Sequence, residues 1–185
     1  MSSQLLVTAV GEDRPGIVSR ITEVLLSHGA NLEESRMAVL GGEFAAIMLV
    51  TGGADKIDAI QTDLSGLEKD GIQVNTKLTR RLDMERYKGY TLCEISLRGA
   101  DHEGIAHHLS RRLKDRDINF QSVHTEVIGA PVTGSPLFCM DATIMVPSKT
   151  SLENLRAELE EIATQEMVEI ELTVTAEGTR VGAGA

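Results

Sequence analysis

Leu5-Leu6-Val7-Thr8-Ala9-Val10-Gly11-Glu12-Asp13-Arg14-Pro15-Gly16-Ile17 passes from an apolar strand pattern through a turn into a helical pattern. Its continuation to Arg36 aligns without gaps on Cys93 to His124. Asp13, Gly16, Ile17 and Asn31 fall on Asp101, Gly104, Ile105 and Asn119, each 88 positions further on. Self-similarity at a fixed offset marks a duplicated structural unit. Downstream, Ile57, Ile60, Leu64 and Leu67 match Leu152, Leu155, Leu159 and Ile162 at an offset of 95, so the second copy carries a net insertion of seven residues. The stretch from Ile128 to Pro136, rich in Gly and Pro, is the natural place for it.

Each copy reads as βαββαβ. In the first, the apolar run from Leu5 suits a central strand that stops at Gly11, and Ile17, Ile21, Val24, Leu25 and His28 then recur at helical spacing. Asp13 is available as N-cap, and Gly29 as the left-handed residue past the helix end. Strands over 32–40 and 43–50 flank Gly41-Gly42, a hairpin signal because only Gly takes positive φ twice without steric cost. A second helix is expected over 55–69, ended by Gly71, before a strand in which Ile72, Val74, Thr76 and Leu78 alternate. In the second copy the same order falls at 91–97, 104–116, 119–128, 138–146, 150–164 and 167–175. The fold class is α+β: two ferredoxin-like modules, each a four-stranded antiparallel sheet with two helices on one face. The expected division is a first module over 1–80, a linker over 81–89, a second module over 90–176 and a flexible tail over 177–185.

Bulk properties narrow the function classes. Of 185 residues 42% are hydrophobic but only 3% aromatic, with no Trp, so the core must be aliphatic with Met as filler. The formal net charge is −10, shared as −3 over residues 1–88 and −7 over 89–185. Such a surface repels a phosphate backbone, which argues against direct nucleic-acid binding. The same βαββαβ order serves RNA recognition, but that requires aromatics on the first and third strands, and here the first strands have none. Phe44 and Phe138 open the third strands and are expected in the core. Cys93 and Cys139 lie in strand patterns without metal-ligand spacing and are expected as buried thiols. The opening Met1-Ser2-Ser3-Gln4 lacks a basic flank, and no apolar run approaches the roughly 18 residues of a membrane span, so a cytoplasmic location is expected.

The loop Asp13-Arg14-Pro15-Gly16-Ile17 places free N–H groups and the positive end of a helix where an anion such as a carboxylate would fit. Gly16 allows close approach to the backbone. Asn31, at the far end of the helix, can both donate and accept. Asp13 and Asn31 could equally serve as a cap and a turn residue, and a duplicated fold would duplicate those as well.

Gly11-Glu12-Asp13-Arg14-Pro15-Gly16-Ile17, followed by His28-Gly29-Ala30-Asn31-Leu32, resembles the signature of ACT domains, regulatory modules of amino-acid metabolism. The resemblance covers roughly residues 4–80 and 90–176, and a free-standing pair of this size is most similar to the glycine cleavage system transcriptional repressor family. It implies an amino-acid-sensing regulator in the cytoplasm, with glycine as effector, acting through a transcription activator protein and not by touching DNA. The alternative class is an ACT-type interaction module that binds no small ligand. In ligand-binding members an amino acid lies between the first loop of one module and the second strand of another. Carried over, the ligand contacts would be Gly11, Asp13, Arg14, Pro15, Gly16, Ile17 and Asn31, with Gly99, Asp101, Gly104, Ile105 and Asn119 as counterparts. Where such relatives often carry His, this chain has Gly11 and Gly99; where they carry Asn, it has Asp13; and His102-Glu103 replaces Arg14-Pro15 in the second copy. Exposed sheet edges imply a homodimer, and the 128–137 loop is expected to be a partner or lid surface.

Catalytic motifs are missing. The run His102-Glu103-Gly104-Ile105-Ala106-His107-His108 lacks the i, i+4 histidine pair of a metalloprotease helix, and its histidines are expected on an exposed helix face. Gly11 to Gly16 lacks the Lys-Ser/Thr of a phosphate loop, and no nucleophile–base pair is recognisable. No enzymatic activity, cofactor or metal is expected.

Overall fold

The computed structural model describes residues 2–80, 84–131 and 134–175, so part of the expected linker, two residues of the expected 128–137 surface and the expected tail lie outside the described residues. The chain divides into two compact units at residue 82/83. The first contains β1 (Ser2–Glu12), α1 (Ile17–Ser27), β2 (Asn31–Leu40), β3 (Glu43–Gly53), α2 (Ile57–Ser65) and β4 (Gln73–Thr79). The second contains β5 (Thr91–Ala100), α3 (Ile105–Asp115), β6 (Phe120–Gly129), β7 (Pro136–Val146), α4 (Leu152–Glu166) and β8 (Val168–Val174), preceded by a short 3-10 turn, Met84–Tyr87. The sheets run β2-β3-β1-β4 and β6-β7-β5-β8, with every neighbouring pair antiparallel. The βαββαβ order read from the repeat is thus present twice.

Alternation fixes which face of each sheet is covered. Leu5, Val7 and Ala9 are fully buried, and they pair across β3 with Val50, Met48 and Ala46. Ile17, Ile21 and Leu25 of α1 and Ile57, Ile60 and Leu64 of α2 close over that face as one apolar cluster. Cys93, Ile95 and Leu97 take the same places in the second unit, under Ile105, Leu109 and Leu113 of α3 and Leu155, Leu159 and Ile162 of α4. Phe44 is buried and Phe138 packs against its cluster, as expected of aromatics that open a core strand. Both thiols are buried.

Gly41 and Gly42, at φ 62° and 86°, make the expected two-residue hairpin, with Leu40 paired to Glu43. Both edge strands carry an irregularity at the same place in the repeat, between Leu32 and Glu34 and between Phe120 and Ser122. The bulged residues, Glu33 and Gln121, twist the edge away from indiscriminate pairing.

The helix ends depart from expectation in two respects. Asp13 does not cap α1: the N-cap is Gly16, with φ 100°, and no side chain bonds to the first turn. The turn through Pro15 and Gly16 places the first helical residue, Ile17, four residues beyond Asp13, so Asp13 does not stand at the capping position. The second helix of the first unit is also shorter than the pattern to Lys69, because it tightens at Gly66 into a 3-10 segment, Gly66–Asp70. Glu161 stands at the matching repeat position and α4 continues unbroken through 15 residues, capped by the Ser151 hydroxyl, which accepts from the Asn154 N–H at 3.3 Å.

Candidate functional site: the loops that open α1 and α3

The β1–α1 loop is anchored at both ends. The Asp13 N–H donates to the Gly42 carbonyl at 2.9 Å, tying the loop to the hairpin, and Asp101 does the same to Pro136 at 3.1 Å. Ile17 and Ile105 sink into the cores, so they root the helices and offer a ligand nothing but backbone. Between these anchors Asp13, Arg14, Pro15 and Gly16 are exposed.

Gly16 and Gly104 sit at φ 100° and 103°, a left-handed conformation that needs glycine. The first turns of α1 and α3 have neither a side-chain cap nor an acidic residue, whereas α2 carries Asp58 and α4 carries Glu153 and the Ser151 cap. The two helices that follow the first strand of each unit therefore have no acidic side chain of their own first turn, and no capping side chain, on their N–H groups and positive dipole end. The loops differ in access. Nothing lies within 4 Å of where a methyl group on Gly16 would stand, but at Gly104 it would be 3.2 Å from Cε1 of His108. The first loop is the open one.

Gly11 and Gly99 are glycine for packing. A methyl group at Gly11 would stand 2.7 Å from the Gly71 carbonyl oxygen, and at Gly99 2.3 Å from Val168 Cγ1, so each lets the start of β4 or β8 close in. Asn31 and Asn119 are exposed, and the Asn31 amide donates to the Glu33 carboxylate at 3.1 Å. Asn31 and the loop occupy opposite ends of the 11-residue α1, about 16 Å apart, so a single unit does not bring them together. Two shallow hollows, one beside Leu26, Ala30 and Leu32 and one beside His107 and Arg111, are lined by none of the residues of either loop.

Sequence reading missed a pair of clamps. Arg14 donates to the Asp70 carbonyl, and Arg20 bonds the Asp70 carboxylate at 2.9 Å. The Arg20 guanidinium holds that carboxyl below its ordinary range. In the second unit His102 Nε2 lies 2.9 Å from the Glu166 carbonyl oxygen and His108 Nδ1 lies 2.7 Å from the Glu166 carboxylate. His102 stands in the loop ahead of α3, not on a helix face as expected. The signal was available in the repeat itself, since Arg14 and Arg20 match His102 and His108 at the offset of 88. Among the described residues no group of three His, Cys, Asp or Glu could hold a metal ion, and no helix is long and apolar enough to cross a membrane.

Comparison with known proteins agrees with this architecture. The ACT domain family model matches residues 3–77. The glycine cleavage system transcriptional repressor of Escherichia coli (strain K12) is 46% identical over 85 residues, 44% of this chain and 45% of the repressor, so the matched stretch spans less than half of that relative. A UPF0237 protein of Methanococcus maripaludis is 36% identical over 78 residues, 40% of this chain and 81% of that protein. Among solved structures, an unknown protein from Galdieria sulphuraria superposes with a TM-score of 0.84 at 29% identity, covering 95% of this chain and 100% of that one. A second, described as a candidate glycine cleavage system transcriptional repressor, superposes with a TM-score of 0.69 at 25% identity over 95% and 98% of the two chains. With the signature loop, the doubled βαββαβ fold and these relatives in agreement, the chain belongs to the ACT-domain family.

Proposed function

We propose that this chain is an amino-acid-sensing regulatory protein, a transcriptional regulator of the glycine cleavage type that acts through a protein partner. The β1–α1 loop receives the carboxylate of a small amino acid, glycine foremost, at the free N–H groups of α1, while Asp13 faces the ammonium pole. The observation that carries this reading is the open left-handed Gly16 at an uncapped helix start. A ligand there alters regulation only as far as it binds one state of the chain more tightly than another.

The net charge of −10 favours a protein partner, such as a transcription activator, over nucleic acid. The edge strands β2 and β6, whose side chains are largely exposed, suit pairing with a second copy into a homodimer. Coverage of Gly104 by His108 favours a narrower role for the second unit, as an interaction module whose loop takes no ligand.

A thermal-shift panel of amino acids tests the proposal. Free ligand at about a hundredfold excess over Kd should stabilise the chain by about 2.7 kcal/mol. Asp13→Ala should remove the shift, while Asp101→Ala should leave it. No shift with any amino acid at millimolar concentration would replace the sensing role with that of an interaction module alone.

A further inference from the structure

Each unit fastens its β–α loop to the end of its second helix through the same three positions, but with different chemistry. Asp70 and Glu166 each precede a left-handed residue, Gly71 at φ 74° and Met167 at φ 53°. Arg14 and His102 reach the backbone carbonyl of that acidic residue, and Arg20 and His108 reach its carboxylate. A guanidinium keeps its protons at any pH at which the protein folds. An imidazole does not.

His102 is bound on both sides by groups that only accept. Nε2 lies 2.9 Å from the Glu166 carbonyl oxygen, and Nδ1 lies 3.1 Å from the carbonyl oxygen of Glu103. Neutral imidazole has a single N–H, so one of these contacts would set a ring lone pair against a carbonyl lone pair; the imidazolium donates to both. We propose that the β5–α3 loop is held by a proton-dependent clamp centred on His102, closed with the ring as imidazolium and released when it is neutral, whereas the arginine clamp of the first unit ignores pH over the same range.

The surroundings favour the charged ring. From α4, the Glu166 carboxylate stands 3.9 Å from Nε2 with its side chain only 12% exposed. From the loop come Asp101 and Glu103. From α3, His108 engages the same Glu166 carboxylate, with His107 edge-on to it at 5.6 Å between ring centres. The Glu166 carbonyl first, then that of Glu103, then the charges of Glu166 and Asp101, raise the His102 pKa above 6.5 against the effect of desolvation. A raised folded-state value means that the stabilisation is complete below the ordinary imidazole range and is lost as pH climbs through the raised value. Each unit of elevation corresponds to about a tenfold change in the ratio of closed to open loop. Asp70 is shifted the other way, below 3.8, so the first clamp weakens only in acid.

The proposal requires no bound ligand, and its test is independent of amino-acid binding. Nuclear magnetic resonance on the full chain would follow the imidazole shifts with pH and the backbone order parameters of residues 101–104 and 13–16 between about pH 5.5 and about pH 8.5. Expected are a His102 midpoint above 6.5 and second-loop order parameters that fall from about 0.85 toward about 0.6 as pH rises, with the first loop unchanged. His102→Arg, which copies the first unit, should make the second loop equally indifferent to pH, while His107→Gln should leave the dependence in place. A His102 midpoint at or below the ordinary value, a second loop equally ordered at both ends of the range, or a His102→Arg chain that still loosens would each overturn the proposal. The wild-type titration decides the matter even if the variant does not fold.

Discussion

Met167 and Asp117 hold left-handed backbone, at φ 53° and 57°, where the first unit has Gly71 and Gly29. A side chain in that conformation costs roughly 1–2 kcal/mol, and the Met167 side chain is 83% exposed, with little packing to offset the strain. Met167→Gly should therefore raise stability by about 1 kcal/mol after the greater freedom of the unfolded glycine is deducted, seen as a higher urea midpoint at unchanged slope. The reverse holds at Gly99, where Ala would press on Val168 and should cost about 1–3 kcal/mol in the same measurement. Sequence reading marked Gly11 as the end of a strand pattern, and the family resemblance gave Gly11 and Gly99 as ligand contacts; neither pointed to packing. The close approach of Val168 and of the Gly71 carbonyl involves chain some 60 to 70 positions away, which no local pattern encodes.

The repeat offsets of 88 and 95 were enough to place every strand and helix to within a few residues, because apolar period and turn chemistry agree along both copies. What failed was local. The assignment of Asp13 as a cap rested on residue type, whereas the helix starts where the Pro15-Gly16 turn delivers the chain. The extent of α2 depended on whether Gly66 would be tolerated inside it, and the helix tightens there instead. The clamps were missed for a different reason: the repeat aligns Arg14 and Arg20 with His102 and His108, but the partner they share lies 56 positions beyond Arg14, and contacts of that range follow from the closed fold. The cap that does form can be tested directly, since Ser151→Ala should cost about 1 kcal/mol of stability, read from denaturant unfolding followed by circular dichroism.

The two units have separate apolar clusters and no element in common. Leu109→Ala empties a fully buried site in the second cluster and should destabilise that unit by about 2–5 kcal/mol, with unfolding of the first displaced much less. Periodicity and composition name neither the proposed ligand nor the proposed partner; only the signature loop and the balance of charge bear on them. Charge excludes more than it selects.

Both cysteines of the chain lie in the second unit, in β5 and β7, and both are shielded from solvent. Burial also pushes the Cys93 thiol up, away from the reactive thiolate. A maleimide added to the native chain must therefore wait for that half of the molecule to open, so alkylation kinetics furnish a stopwatch for one unit, built into this sequence without an added cysteine, to which the other unit is silent.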